Sequence, residues 1–229
     1  MILLFLSSGL FLGWSLGAND AANVFGTAVA TRMVRFRTAA LYCGVFVVLG
    51  AVISGAGTTD PIGQLGAVNA LGGSFMVALA AAAAVMWMTK AGLPVSVSQA
   101  IVGAIIGWNI FTGSQTDMSS LVRIVSTWVV CPVLAAAFAA AFYLLARRII
   151  SRWPVHLLEL DSMTRAGLIA VGAFGAYSLG ANNIAAVMGA FVPAFPSHSV
   201  GVAGLFAVDS VQLLFLVGGL AIAVGAFSY

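Results

Sequence analysis

Long, nearly unbroken apolar runs constrain this chain more than any other feature. They lie near residues 2–31, 38–54, 68–89, 93–112, 121–146, 166–195 and 199–227. Most approach the roughly 20 residues that an α-helix needs to cross a hydrocarbon core of about 30 Å. Only 7% of the residues are charged, against about 25% in a water-soluble domain. That leaves too little polar surface for a fold in water. The expected class is an all-α, polytopic, multi-pass protein of the cell membrane, with the lipid bilayer as its surroundings.

The first run, from Ile2 to Leu16, has the length of a signal-peptide core. No basic residue precedes it, and it leads directly into a motif that recurs later, so it is read as part of the mature fold. Cys43 and Cys131 both fall in apolar runs without metal spacing or a disulfide framework, and read as small buried hydrophobes. The net charge is +3, and seven of the nine basic residues cluster as Arg32, Arg35, Arg37 and as Arg147, Arg148, Arg152, Arg165. Such loops stay cytoplasmic, so the charge reports topology and gives no reason to expect a nucleic-acid partner. The turns around Asp60 and Asp117 lack clustered basic residues and are placed outside.

An internal repeat organises the chain. Trp14-Ser15-Leu16-Gly17-Ala18-Asn19-Asp20, followed by Ala22 and Gly26, returns as Tyr177-Ser178-Leu179-Gly180-Ala181-Asn182-Asn183, followed by Ala185 and Gly189. This divides the chain into a first transmembrane repeat (1–150), a cytoplasmic interfacial linker (151–165), and the start of a second, incomplete repeat (166–229). The linker, with Trp153, Leu157, Leu158, Glu159 and Asp161, reads as an amphipathic helix on the membrane surface. With both arginine loops inside, the two motif helices run in opposite directions, as in inverted-topology repeats with a midplane site. Residues 93–112 read either as a crossing, which charge favours, or as a re-entrant hairpin, which Pro94 and its polar neighbours favour. The short second copy implies a longer protein, a homodimer or a chain that completes the fold.

The motif places Asn19, Asp20 and Asn23 in the middle of an apolar run. A carboxylate at that depth costs several kcal/mol unless it faces protein or water. Glycine beside Asn-Asp favours leaving helical geometry, so broken helices are expected here. Irregular backbone at membrane depth lines cavities or is buried in protein. Freed helix N-termini suit an anion, while carbonyls with Asp and Asn oxygens suit a small cation such as sodium. The plainer alternative is that these side chains are polar glue between helices.

G-A-N-D-x-A-N in a first transmembrane helix, repeated in a second half, resembles the inorganic phosphate transporter (PiT) family, secondary transporters that couple phosphate uptake to sodium or protons. The family's Pro-Val-Ser-Thr-Thr-His stretch has a counterpart in Leu93-Pro94-Val95-Ser96-Val97-Ser98-Gln99. The resemblance implies that Asn19, Asp20, Ser96, Ser98, Asn182 and Asn183 bind the oxyanion, phosphate foremost. It further implies that Asp20, Asn23, Asn19 and Asn183 hold the coupling cation. No cofactor is expected beyond a sodium ion. From the residues alone, a proline followed by two hydroxyls makes an anion nest, or merely a helix start capped by Ser96 or Ser98.

Three departures separate the chain from the family pattern. Val97 replaces a threonine, Gln99 a histidine, and Asn183 the second aspartate, with Ala186 opposite Asn23. They leave the fold untouched and bear on which anion and which cation are carried. The expected function is a secondary active transporter of phosphate or a similar oxyanion. A sulfate permease and a truncated, non-transporting subunit are the alternatives. Asp209 lies in an apolar run as a weaker candidate, offset from Phe46. Lys90 reads as snorkelling, the Ala80–Ala84 run as close helix packing, and His156 and His198 as solvent-facing. No Walker loop, zinc spacing or nucleophile motif is present to support catalysis.

Overall fold

The computed structural model describes residues 2–58, 71–93, 95–152, 156–195, 199–202 and 206–228. The chain order is α1 (Ile2–Ala30), α2 (Phe36–Ser54), α3 (Leu71–Lys90), α4 (Val97–Thr112), α5 (Met118–Arg152), α6 (Leu157–Met188), β1 (Ser199–Val202), β2 (Phe206–Asp209) and α7 (Ser210–Ser228). Short 3-10 turns follow α2 and α6. Among the described residues, five segments (Phe36–Gly57, Leu71–Lys90, Met118–Arg152, Leu157–Pro193 and Ser210–Ser228) are long and apolar enough to cross a bilayer.

The fold is helical as expected, with two changes of boundary. β1 and β2 form a small antiparallel ribbon, Ser199 opposite Asp209, so the last span begins at Ser210 rather than residue 199. The β-branched Val200, Val202 and Val208 disfavour helix there. The expected surface linker is not a separate helix. Residues 157–165 are the first turns of α6, which starts where the His156 ring accepts a hydrogen bond from the Leu158 amide (3.4 Å). No glycine or proline interrupts that stretch. Cys43 is buried as expected, but Cys131 is exposed on α5. Most of α5 is exposed, with Val129, Phe138, Phe142 and Leu144 pointing outward, a surface suited to lipid. The turn through Asp60, together with Pro94, Trp153 and His198, lies outside the described residues.

The expected break within the motif helices is absent: α1 and α6 run unbroken through both copies. The polar side chains are satisfied without unwinding the backbone. Asn183 donates to the Leu179 carbonyl one turn back (3.1 Å), and Asn23 donates to Asp20 Oδ1 (3.3 Å). The motif glycines serve close approach instead. A Cβ at Gly17 would collide with the Ile222 carbonyl of α7, and one at Gly180 with the Val47 carbonyl of α2. In lipid, helix association gains little from hiding apolar surface, so van der Waals contact between small residues carries the packing.

Contacts fix the helix directions. Phe25 meets Gly172 and Gly13 meets Val187, so α1 and α6 are antiparallel. Gly13 lies near Gly218 and Ala221, and Gly17 near Ile222 and Ala226, so α7 runs parallel to α1. In the same way Gly50 lies on Tyr177 and Ala181, and Gly55 on Ile184, so α2 runs parallel to α6. Each motif helix therefore packs against the second helix of the other repeat. The motif aromatics share one role: Trp14 Nε1 donates to Ser228 Oγ (3.1 Å), and the Tyr177 hydroxyl bonds Ser54 Oγ (2.6 Å). Matching residues of α2 and α7, such as Gly50 and Gly225, differ by 175 in number. Motif residues such as Trp14 and Tyr177 differ by 163. The extra positions fall between α6 and α7, so Asp209 corresponds to Val34 and not to Phe46.

α3 and α4 form a helical hairpin against α1. Phe5 packs on Phe75 (ring centroids 6.1 Å) and Asn19 reaches Thr89, so α3 follows α1 in parallel. α4 returns until Trp108 covers Gly73. At the tip, Gly92 takes φ 71° while the Leu93 amide bonds back to the Met88 carbonyl (3.0 Å), which ends α3. The tip is level with Asn19, and at 1.5 Å per residue it stops about 16 Å short of the end of α1. The reversal thus lies between Lys90 and Val97, and residues 97–112 are one unbroken helix rather than a hairpin of their own.

Candidate functional site

The hairpin tip, the middle of α1 and the last turns of α6 border an open cavity of about 580 Å³. From α1 come Asn19, Asp20 and Asn23; from the hairpin, Ser96 and Ser98; from α6, Asn183. Three parts of the sequence, with Asn19 and Asn183 164 positions apart, thus converge, and they include all but one of the expected site residues. The exception is Asn182, which is exposed on α6 and does not line the cavity. On α1 the hairpin covers the Asn19 face, whereas no described residue covers the matching face of α6 in that way.

Asn19 ties the hairpin to α1. With its amide oriented to satisfy both ends, Oδ1 accepts from the Thr89 hydroxyl (2.9 Å), and Nδ2 donates to the Val95 carbonyl (3.1 Å) and to Asp20 Oδ1 (3.0 Å). Asp20 Oδ1 therefore receives amide protons from both Asn19 and Asn23. The carboxylate is held in place while Oδ2 stays available to a ligand. Thr89, which lines the same cavity, escaped sequence reasoning. Its one signal is a hydroxyl in the last turn of an otherwise apolar helix.

Ser96 is the N-cap of α4, its hydroxyl accepting from the Gln99 amide (3.4 Å). The helix start read from the sequence and the cavity wall are thus the same feature. The first amides of α4, at Val97 and Ser98, have no intrahelical acceptor, and both residues line the cavity. A helix N-terminus with two hydroxyls presents donors and a favourable dipole to an anion. No lysine or arginine is among the lining residues, and Asp20 is the one carboxylate. A bound oxyanion would thus be held by neutral donors, with Asp20 opposing it unless a cation intervenes. Asp209, at the foot of α7, has a buried Oδ1 and belongs to neither the cavity nor the hairpin.

Comparison with known proteins identifies the fold and the family. A solved structure described as the sodium-dependent phosphate transporter superposes with a TM-score of 0.76 over 99% of this chain and 74% of that one, at 22% identity, and so shares the fold. The inorganic phosphate transporter 2-1, chloroplastic, of Arabidopsis thaliana is 32% identical over 158 residues, 64% of this chain and 27% of its own. A sodium-dependent phosphate transporter of Plasmodium falciparum is 30% identical over 176 residues, 66% of this chain and 25% of its own. The chain thus spans about a quarter of the length of these two relatives. Over residues 16–229 it matches the model of the phosphate transporter family, and it belongs to that family.

Proposed function

We propose that the chain forms the substrate-binding core of a secondary active transporter that carries inorganic phosphate together with sodium. The observation that carries this reading is the single cavity lined by Asn19, Asp20, Asn23, Ser96, Ser98 and Asn183. Phosphate accepts from the Ser96 and Ser98 hydroxyls and the first amides of α4, and Asn183 approaches it from α6. Sodium takes the free oxygen of Asp20, with the Asn23 and Asn183 side-chain oxygens as neighbours. Both ions share one small space, so each neutralises the field that opposes the other, which is the physical basis of coupled binding. The names of the relatives from A. thaliana and P. falciparum, phosphate and sodium-dependent phosphate transporter, support this choice of ions. The expected partner, a second copy or a completing chain, would lie against the exposed Asn182 face of α6.

Uptake of labelled phosphate and sulfate into proteoliposomes of the full-length protein, under a sodium gradient, a proton gradient or none, tests the reading. Sodium-driven phosphate uptake that exceeds sulfate uptake is expected. Absence of uptake of either anion under every gradient would refute it, and sulfate preference would change the substrate.

A further inference from the structure

A second cavity, of about 360 Å³, opens between the last turns of α1 and the first turns of α2, with Ala226 of α7 at its inner end. It bears no charged side chain, and Cys43 supplies the one weakly polar group. The slot follows α1 from Ala18 to Ala30, about 18 Å at 1.5 Å per residue, so its mean cross-section is about 20 Å². That is the width of one extended hydrocarbon chain. An α-helix, even at a diameter of about 10 Å, would need roughly four times as much. Ala22, Ala30 and Phe36 are exposed, so the slot is open along its outer side.

Its mouth is bracketed by cations. Arg32 stands two residues past Ala30, and Phe36 lies between Arg35 and Arg37. All three arginines are exposed, and none makes an ion pair among the described residues. Arg32 has φ 61°, a left-handed conformation found at no other non-glycine residue among those described. Glycine would hold that turn with less steric cost, so the side chain is kept there at the expense of local stability. A free phosphate ion finds no hydrogen-bond donor along the slot itself.

We propose that this slot binds one anionic phospholipid, an acyl chain lying along α1 and the headgroup phosphate meeting Arg32, Arg35 and Arg37. The apolar slot and the basic turn are complementary to the two ends of such a molecule, and basic pockets at the cytoplasmic ends of helices suit anionic headgroups. The site is separate from the ion cavity, with Ala18 as the shared wall.

The full-length protein is reconstituted into phosphatidylcholine vesicles with and without phosphatidylglycerol, extracted gently, and its retained lipid counted by native mass spectrometry. The wild type is expected to keep one phosphatidylglycerol in preference to phosphatidylcholine. Arg32→Gly, which eases the backbone while removing the charge, should lower that retention about fivefold, the effect of one basic residue near an anionic surface. Adding Arg35→Gln and Arg37→Gln should abolish the preference. Ala22→Phe, which fills the slot from its exposed side, should prevent retention with all three arginines in place. Millimolar inorganic phosphate should leave the lipid bound. Wild-type retention in the triple variant or in Ala22→Phe, or displacement by inorganic phosphate, would overturn the proposal.

Discussion

Asp20→Asn removes the one carboxylate of the ion cavity while keeping its size and its acceptor toward Asn19 and Asn23. An anion at the centre of a 580 Å³ cavity sits about 5 Å from the wall, so at an effective dielectric of about 20 each unit of its charge is repelled by ~3 kcal/mol. Because the cavity is open to solvent, about half of that is a fair working figure, close to tenfold in affinity for each charge on the phosphate. On the proposed reading this repulsion stands in the wild type until sodium binds beside Asp20, so sodium should tighten phosphate binding by tenfold or more. In Asp20→Asn, phosphate should bind about tenfold more tightly without sodium, and added sodium should change little. Equilibrium binding of labelled phosphate, in sodium or choline chloride at equal ionic strength, reads both values. A variant that keeps the wild-type sodium dependence would refute the assignment of Asp20 and the coupling argument with it.

Further outcomes follow from the same structure. Gly180→Ala should destabilise the protein by at least 1–3 kcal/mol, because its Cβ meets the Val47 carbonyl. Gly103→Ala, with open space around it, should be neutral or gain up to about 1 kcal/mol in thermal unfolding. Thr89→Val should weaken phosphate binding about fivefold by loosening Asn19, the net worth of one hydrogen bond of about 1 kcal/mol. Asn183→Ala should weaken it as well, whereas Asn182→Ala should leave phosphate binding unchanged. Hydrogen bonds from Ser120 and Ser119 hold the Asp117 carboxyl down at about 2. Asp117 thus stabilises the start of α5 above its ordinary range near 4, and that contribution fades as pH falls through 2. The difference in thermal stability between the wild type and Asp117→Ala should be full at pH 6, shrink as pH falls from about 4, and be smallest below pH 2.

Much of the site was legible because chemistry out of place in an apolar chain is a strong signal. Asn19, Asp20 and Asn23 demanded partners wherever they lay, and the second motif supplied Asn183. The hydroxyls after Pro94 marked a helix start, which Ser96 caps. The glycines were harder to read, since a glycine equally permits a break in the backbone or the close approach of another helix. Only the position of α7 against Gly17 and of α2 against Gly180 decides for approach. Asn182 and Asn183 were indistinguishable in the repeat, yet about 100° of helical rotation separates them, and the cavity lies on one side. Thr89 was hidden because a single threonine near a helix end usually caps or back-bonds; its role comes from the parallel run of α3 along α1. The helix pairing across repeats was also illegible, since the 163-residue spacing of the motifs does not extend to α2 and α7.

The central claim is that both motif helices and the α3–α4 hairpin share one ion site. A structure of the full-length protein determined with phosphate and sodium tests it most directly. The account predicts phosphate density within hydrogen-bonding distance of Ser96, Ser98 and Asn183, with a sodium ion beside Asp20. An empty cavity at saturating phosphate, with the anion bound elsewhere, would contradict it.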